Sequence, residues 1–279
     1  VTSKRIIRVF PRRTKATPDD DLAFVGDPPL IRPEADEVHV SCTFTWDLVE
    51  ATRLVMAWSP YYRTKLGGPA CGSMPYDFVP GRFLKPGYVI TSRGCPNQCW
   101  FCLVPRREGP LRTLPIRAGC DVLDNNLLAC PRDHVEAVFD MLAEQSRRVR
   151  FTGGFDVDLV QPWHIERLAD LRIDTIFIAL DQFYNVGNWD RAVEMLLPVC
   201  WQRRLCSYVL CGWKGDTVAH AEARLKFVQR HEVTPFPMYY QAVGQKRIVP
   251  DAWRKLVRTW SRPHAAYSTA PAASERGLL

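Results

Sequence analysis

Three cysteines, Cys95, Cys99 and Cys102, fall within eight residues of the segment Ser92-Arg93-Gly94-Cys95-Pro96-Asn97-Gln98-Cys99-Trp100-Phe101-Cys102. Three thiolates packed so tightly can wrap one face of a metal cluster, because a loop lets all three sulfurs converge where a helix would not. A closed zinc site normally recruits a fourth Cys or His, and the nearest downstream cysteine, Cys120, lies beyond a long basic segment. The spacing therefore leaves one coordination position open. Two other readings use the same residues. One is a structural iron-sulfur or zinc site in a non-catalytic nucleic-acid-binding protein. The other is a Cys99-x-x-Cys102 disulfide pair, which leaves Cys95 unexplained.

The elements that must position this loop are legible from periodicity. From Tyr88 onward, short β-rich apolar runs alternate with segments of helical spacing, the pattern of β-α units stacked around a parallel sheet. Strands are expected near Tyr88–Thr91, Asp121–Leu123, Val149–Thr152, Thr175–Leu180, Ser207–Cys211 and Phe236–Tyr240. Val135, Val138, Phe139 and Leu142 form one helical stripe, Val218, Ala221, Leu225 and Val228 a second, and Trp253, Leu256, Val257 and Trp260 a third, each able to cover a sheet face. Pro131, Pro162 and Pro250 support helix starts, whereas Pro198 should end or kink its helix. Before Tyr88 the pattern predicts one β-α-β unit, with a strand over Val38–Phe44, a helix from Asp47 to Trp58 and a short strand into Leu66-Gly67-Gly68-Pro69. That unit is too small for an independent dinucleotide-binding fold.

The Cys-x3-Cys-x-aromatic-Cys spacing after a predicted strand, with Phe101 at the aromatic position, resembles the radical S-adenosylmethionine (SAM) superfamily over roughly Gly87–Gln241. The resemblance implies an α/β fold, a partial (β/α)6 TIM-like barrel with a small N-terminal α/β unit. It divides the chain into residues 1–86, the N-terminal unit, residues 87–260, the barrel, and residues 261–279, a flexible tail rich in Ser, Ala and Pro. It also implies that Cys95, Cys99 and Cys102 hold a [4Fe-4S] cluster whose fourth iron is chelated by SAM. The activity implied is reductive cleavage of SAM to methionine and a 5'-deoxyadenosyl radical, which abstracts hydrogen from an unidentified substrate. An external one-electron donor of the reduced flavodoxin or ferredoxin type would supply the electron.

Barrels gather functional groups at the C-terminal ends of their strands, and that rule locates candidate SAM contacts. The family has a glycine-rich acidic motif after the second strand; this chain has Asp124-Asn125-Asn126 instead, so Asn125 and Asn126 stand as its substitutes. Gly153 and Gly154 permit close backbone approach, and Asp156 or Asp181 is placed for the ribose hydroxyls. Gly212-x2-Gly215-Asp216 resembles the fifth-strand motif that supports the adenine.

Seven further cysteines, Cys42, Cys71, Cys120, Cys130, Cys200, Cys206 and Cys211, form no tight pair in sequence and suit burial better than a second cluster. The N-terminal unit, with Val38-His39-Val40-Ser41-Cys42 and Gly67-Gly68-Pro69-Ala70, resembles weakly a shortened cobalamin-binding or methylthiotransferase-type domain. It lacks the Asp-x-His-x2-Gly cobalt motif and offers two cysteines where a methylthiotransferase needs three. The six histidines show no paired metal spacing, and those on helical patterns are expected to face solvent. Among the tryptophans, Trp100 and Trp213 fall on loops expected at the barrel mouth.

Hydrophobic residues make up 47% of the 279-residue chain and no apolar run reaches the length of a membrane span, so a folded cytoplasmic protein without a membrane partner is expected. Ten cysteines without a secretory signal point to a reducing compartment. The net charge of +7, with basic clusters at Arg12, Arg13 and Lys15, at Arg106 and Arg107, and at Arg147, Arg148 and Arg150, keeps a nucleic-acid substrate open as an alternative, a tRNA-modifying enzyme of methylthiotransferase-like type.

Overall fold

The computed structural model describes residues 4–72, 79, 81–200, 203–242 and 248–261; the tail expected over 261–279 lies, apart from Ser261, outside them. The chain packs as two compact units that divide between Gly119 and Cys120.

The first unit is built on a four-stranded parallel sheet of order β2-β1-β3-β4, formed by β1 (Ile6–Phe10), β2 (Ala23–Val25), β3 (Glu37–Ser41) and β4 (Thr64–Gly67). Alternation sets the faces: Ile7 pairs with Val38 and Val9 with Val40, and all four are buried. Helix α1 (Leu48–Trp58) presents Ala51, Leu54 and Trp58 to this core. Burying a side chain of leucine size is worth about 1.5–3 kcal/mol, so Leu54 and Trp58 hold the helix on the sheet, and Trp58 Nε1 also donates to the Gly26 carbonyl at 3.1 Å. The β-α-β unit expected here is present as β3, α1 and β4, but it is half of a larger sheet. Strands β1 and β2 are five and three residues long, too short for alternation alone to distinguish them from loop.

After β5 (Gly87–Val89) the chain forms a two-stranded antiparallel ribbon from β6 (Ser92–Arg93) and β7 (Arg112–Thr113), with the short helix α2 (Val104–Glu108) between them.

The second unit repeats strand and helix: β8 (Gly119–Val122), α3 (Arg132–Ala143), β9 (Val149–Phe151), α4 (Pro162–Ala169), β10 (Ile173–Ala179), α5 (Val186–Leu196), β11 (Leu205–Cys211), α6 (Val218–Arg230), β12 (Thr234–Tyr239) and α7 (Asp251–Trp260). The molecule is mixed α/β, with a six-stranded parallel sheet of order β12-β11-β10-β9-β8-β5, and each strand expected from Tyr88 onward has its counterpart. The stripe Val135, Val138, Phe139 and Leu142 is buried throughout on α3. Strand β12 carries Pro235 and Pro237 at alternate positions, which an edge strand accepts because no ladder bond is lost. On one face of β10 and β11, Ile176, Ile178 and Val209 are buried, and Trp189 Nε1 from α5 donates to Ser207 Oγ at 3.0 Å. On the other face Phe177 stacks on Tyr208 with ring centroids 4.4 Å apart, and Phe236 meets both edge-on.

Candidate functional site

The cysteine loop lies between β6 and β7. Leu114 N–H donates to the Thr91 carbonyl at 2.8 Å, Arg112 Nη1 donates to the Glu108 carbonyl at 2.6 Å, and Thr91 and Ser92 are fully buried, so the stem of the loop is fixed. Gly94 has φ +85°, and a Cβ there would stand 2.3 Å from the Pro110 carbonyl oxygen; only glycine lets the outgoing and returning chains pass so closely. Within the loop, Cys102 N–H donates to the Cys99 carbonyl at 3.0 Å, and Cys102 Sγ accepts from Val104 N–H at 3.5 Å. Phe101 packs edge-on against Trp100, centroids 5.3 Å apart, and Trp100 is 54% exposed.

Access separates this trio from most of the other cysteines. Cys99 is exposed and Cys95 and Cys102 half-buried, whereas Cys42, Cys120, Cys130, Cys200, Cys206 and Cys211 are buried, as expected, and Cys71 is half-buried. Burial pushes the thiol of Cys200 up to about 11 and those of Cys206 and Cys211 up to about 12, so these three stay protonated and poor at ligation. Among the described residues no group of three Cys, His, Asp or Glu side chains stands ready to hold a metal. Three accessible thiols in one loop nevertheless form a donor set suited to an iron-sulfur cluster.

In the second unit, the segments after the strands hold the other residues singled out from the sequence. Asn126 and Asp124 are buried, and Asn126 Nδ2 donates to Asp156 Oδ2 at 3.0 Å. Asp156 Oδ1 accepts from Asp158 N–H at 3.2 Å, so this carboxylate braces its own turn as well as its neighbour. Asn125 is half-buried beside them. A Cβ on Gly153 would fall 2.0 Å from the Asp124 carbonyl oxygen, which shows that Gly153 serves the crossing of two backbones, and Gly154 follows with φ +91°.

Asp181, just past β10, accepts Leu210 N–H on Oδ1 at 3.1 Å. Burial raises its carboxyl to about 6 against that hydrogen bond. Gly212 and Gly215 both have positive φ, and the turn they bound is locked from beneath. Asp216 Oδ2 accepts from Gly212 N–H and from Arg224 Nη2, each at 2.9 Å, and Arg224 Nη2 also donates to the Leu210 carbonyl at 2.9 Å. The Arg224 guanidinium stands 4.4 Å from the centroid of the Trp213 ring, so Trp213 is held by a cation. Arg224 was not anticipated as a site residue. Its signal is a charge inside the apolar stripe of α6, between Ala221 and Leu225, where all three are buried.

One expectation fails at His164. It lies on a helix, but it is 2% exposed rather than solvent-facing, because its Nδ1 accepts Gln161 N–H at 3.0 Å and closes the cap of α4.

No family model matches the chain, and no curated protein matches it either. Among the described residues no helix is long and apolar enough to cross a membrane.

Proposed function

We propose that this protein is a radical SAM enzyme working in a reducing, cytoplasmic setting, and that its six-stranded sheet is the wall of a partial (β/α)6 barrel. The observation that carries the reading is the loop of Cys95, Cys99 and Cys102, three thiols at cluster spacing in one accessible segment. These three would hold the [4Fe-4S] cluster, which with SAM bound supplies reductive carbon-sulfur cleavage and the organic radical that abstracts hydrogen.

The chain's own residues have separate tasks. Asn126 and Asp156, tied to one another, offer a preorganised polar pair for SAM, together with Asn125. The backbone at Gly153 and Gly154 allows close approach. Asp181 holds a carboxyl oxygen for a ribose hydroxyl, and Gly212 and Gly215 shape the turn that would support the adenine. Electrostatic preorganisation of this kind keeps its groups from reorganising when charge moves.

Anaerobic reconstitution with iron and sulfide, followed by reduction in the presence of SAM, tests the proposal. The expected result is 5'-deoxyadenosine from the wild type and none from Cys99→Ala. A well-formed cluster that cleaves no SAM under any reductant would overturn it.

A further inference from the structure

We infer that Cys42 and Cys71, held together past the C-terminal ends of β3 and β4, form a redox-active dithiol that a low-molecular-weight disulfide oxidises to an intramolecular disulfide bond. Neither residue belongs to the cluster loop or to the residues proposed for SAM, so the inference stands apart from the SAM reading.

The backbone brings the two residues together. Cys42 follows β3 directly, and Cys71 ends the short 3₁₀ turn Pro69–Cys71 that follows β4. Cys42 N–H donates to the Gly67 carbonyl at 2.8 Å and Ala70 N–H donates to the Cys42 carbonyl at 3.0 Å, so the turn is stitched to Cys42 on both sides. Gly68, with φ +104°, permits the crossing, because a Cβ there would fall 2.5 Å from the Cys42 carbonyl oxygen. The Gly67 carbonyl that holds Cys42 N–H also accepts from Cys71 Sγ at 3.4 Å. That shared acceptor places the Cys71 sulfur beside Cys42, and the two thiols are hydrogen-bonded to one another. Closing an S–S bond of about 2 Å from that contact asks for side-chain rotation, which gives up the thiol hydrogen bonds to the Gly67 and Phe44 carbonyls.

The two sulfurs differ in access and in charge. Cys42 is fully buried and Cys71 half-buried, so an oxidant meets Cys71 first. Burial raises both thiols, Cys42 to about 11. At Cys71 the hydrogen bond with Cys42 and the charge of Arg107 on α2 oppose burial, so Cys71 is the sulfur that ionises and attacks. Its thiolate displaces one thiol from the oxidant and forms a mixed disulfide; the Cys42 sulfur then attacks Cys71 and displaces the second. Two protein thiols are oxidised, the oxidant's disulfide is reduced to two thiols, and the two protons end on them. In a reducing compartment the pair rests as the dithiol. Cys200 and Cys206 give the contrast, since they also lie close enough to interact but are both buried, out of an oxidant's reach.

Oxidised glutathione is the probe. The full-length, metal-free protein is incubated with it, remaining thiols are alkylated, and peptides are mapped by mass spectrometry without reduction. The expected product is a linked pair of peptides carrying Cys42 and Cys71, reopened by dithiothreitol, with Cys200 and Cys206 alkylated only after unfolding. Cys42→Ala, which keeps a small apolar group at the buried position, should stall after the first step and hold one glutathione on Cys71, whereas Cys71→Ser should leave Cys42 unmodified. The wild-type map decides independently of either variant's stability: a map in which Cys42 and Cys71 stay unlinked, or in which either bridges another cysteine in preference, overturns the inference. A folded Cys42→Ala protein whose Cys71 takes up no glutathione overturns the order of attack and with it the dithiol.

Discussion

Asn126 donates from Nδ2 to Asp156 Oδ2 at 3.0 Å, a bond that joins the segment following β8 to the segment following β9. The same two segments cross at Gly153, where there is no room for a side chain against the Asp124 carbonyl. Side chain and backbone thus fix one another, and two residues proposed as SAM contacts form a single rigid feature.

Asn126→Ala removes one of the hydrogen bonds to Asp156 and the link between the two segments. Such losses cost about 1–3 kcal/mol. Urea unfolding should show a drop of that size, and equilibrium dialysis of the reconstituted protein should show weaker SAM binding. Unchanged SAM affinity alongside the stability loss would confine the pair to a structural role.

Arg224 and Asp216 form an ion pair at 2.9 Å with side chains 5% and 1% exposed. Removing one partner strands the other charge in the interior, so Arg224→Ala should cost about 3–5 kcal/mol in urea unfolding. Arg224→Met with Asp216→Asn, which strands no charge, should recover part of that loss. If the double variant is no more stable than Arg224→Ala, the pair is not what burial of Arg224 depends on.

Two buried groups bend the pH dependence of stability in opposite directions. The Asp181 carboxyl is raised from 3.8 to about 6 by burial, so its favourable contribution is full below about pH 4 and is lost as pH rises through 6. Asp181→Asn keeps the acceptor for Leu210 N–H and should be more stable than wild type by about 3 kcal/mol at pH 7.5, the gain vanishing near pH 4. His164 is lowered from 6.5 to about 4 by burial. Its contribution is present above pH 6.5 and is lost as pH falls through 4, a loss of about 3 kcal/mol that His164→Gln should not show. Denaturant midpoints collected from pH 4 to pH 8 decide both, and parallel profiles for wild type and a variant would remove that residue's role.

The ten cysteines should separate by reactivity. Brief alkylation of the native, metal-free protein should mark Cys99 first, with Cys95 and Cys102 next, and spare Cys200, Cys206 and Cys211, which are buried with raised thiols. Reconstitution should then protect the loop cysteines at about four irons per chain. Loop cysteines that stay open to alkylation after iron uptake would place the cluster elsewhere, and about eight irons would require a second cluster.

Much of this molecule is local in origin, and so was readable from the chain. Periods of two and of 3.6 residues placed the strands from Tyr88 onward and the stripe of Val135, Val138, Phe139 and Leu142, because each residue's direction follows from its neighbours' backbone geometry. The spacing of Cys95, Cys99 and Cys102 is likewise a property of eight consecutive residues. Tertiary structure alone decided the rest. A parallel ladder pairs residues far apart in sequence, so the addition of β1 and β2 to the first sheet could not be seen in segments of five and three residues. Periodicity tells which side of a helix is inward, but not which polar group waits there. Arg224 is buried because Asp216 and the Leu210 carbonyl meet it, His164 because the backbone of Gln161 does, and Asn126 finds Asp156 thirty residues away. A buried polar side chain is stable only with its partner in place, and such partners are brought together by the fold.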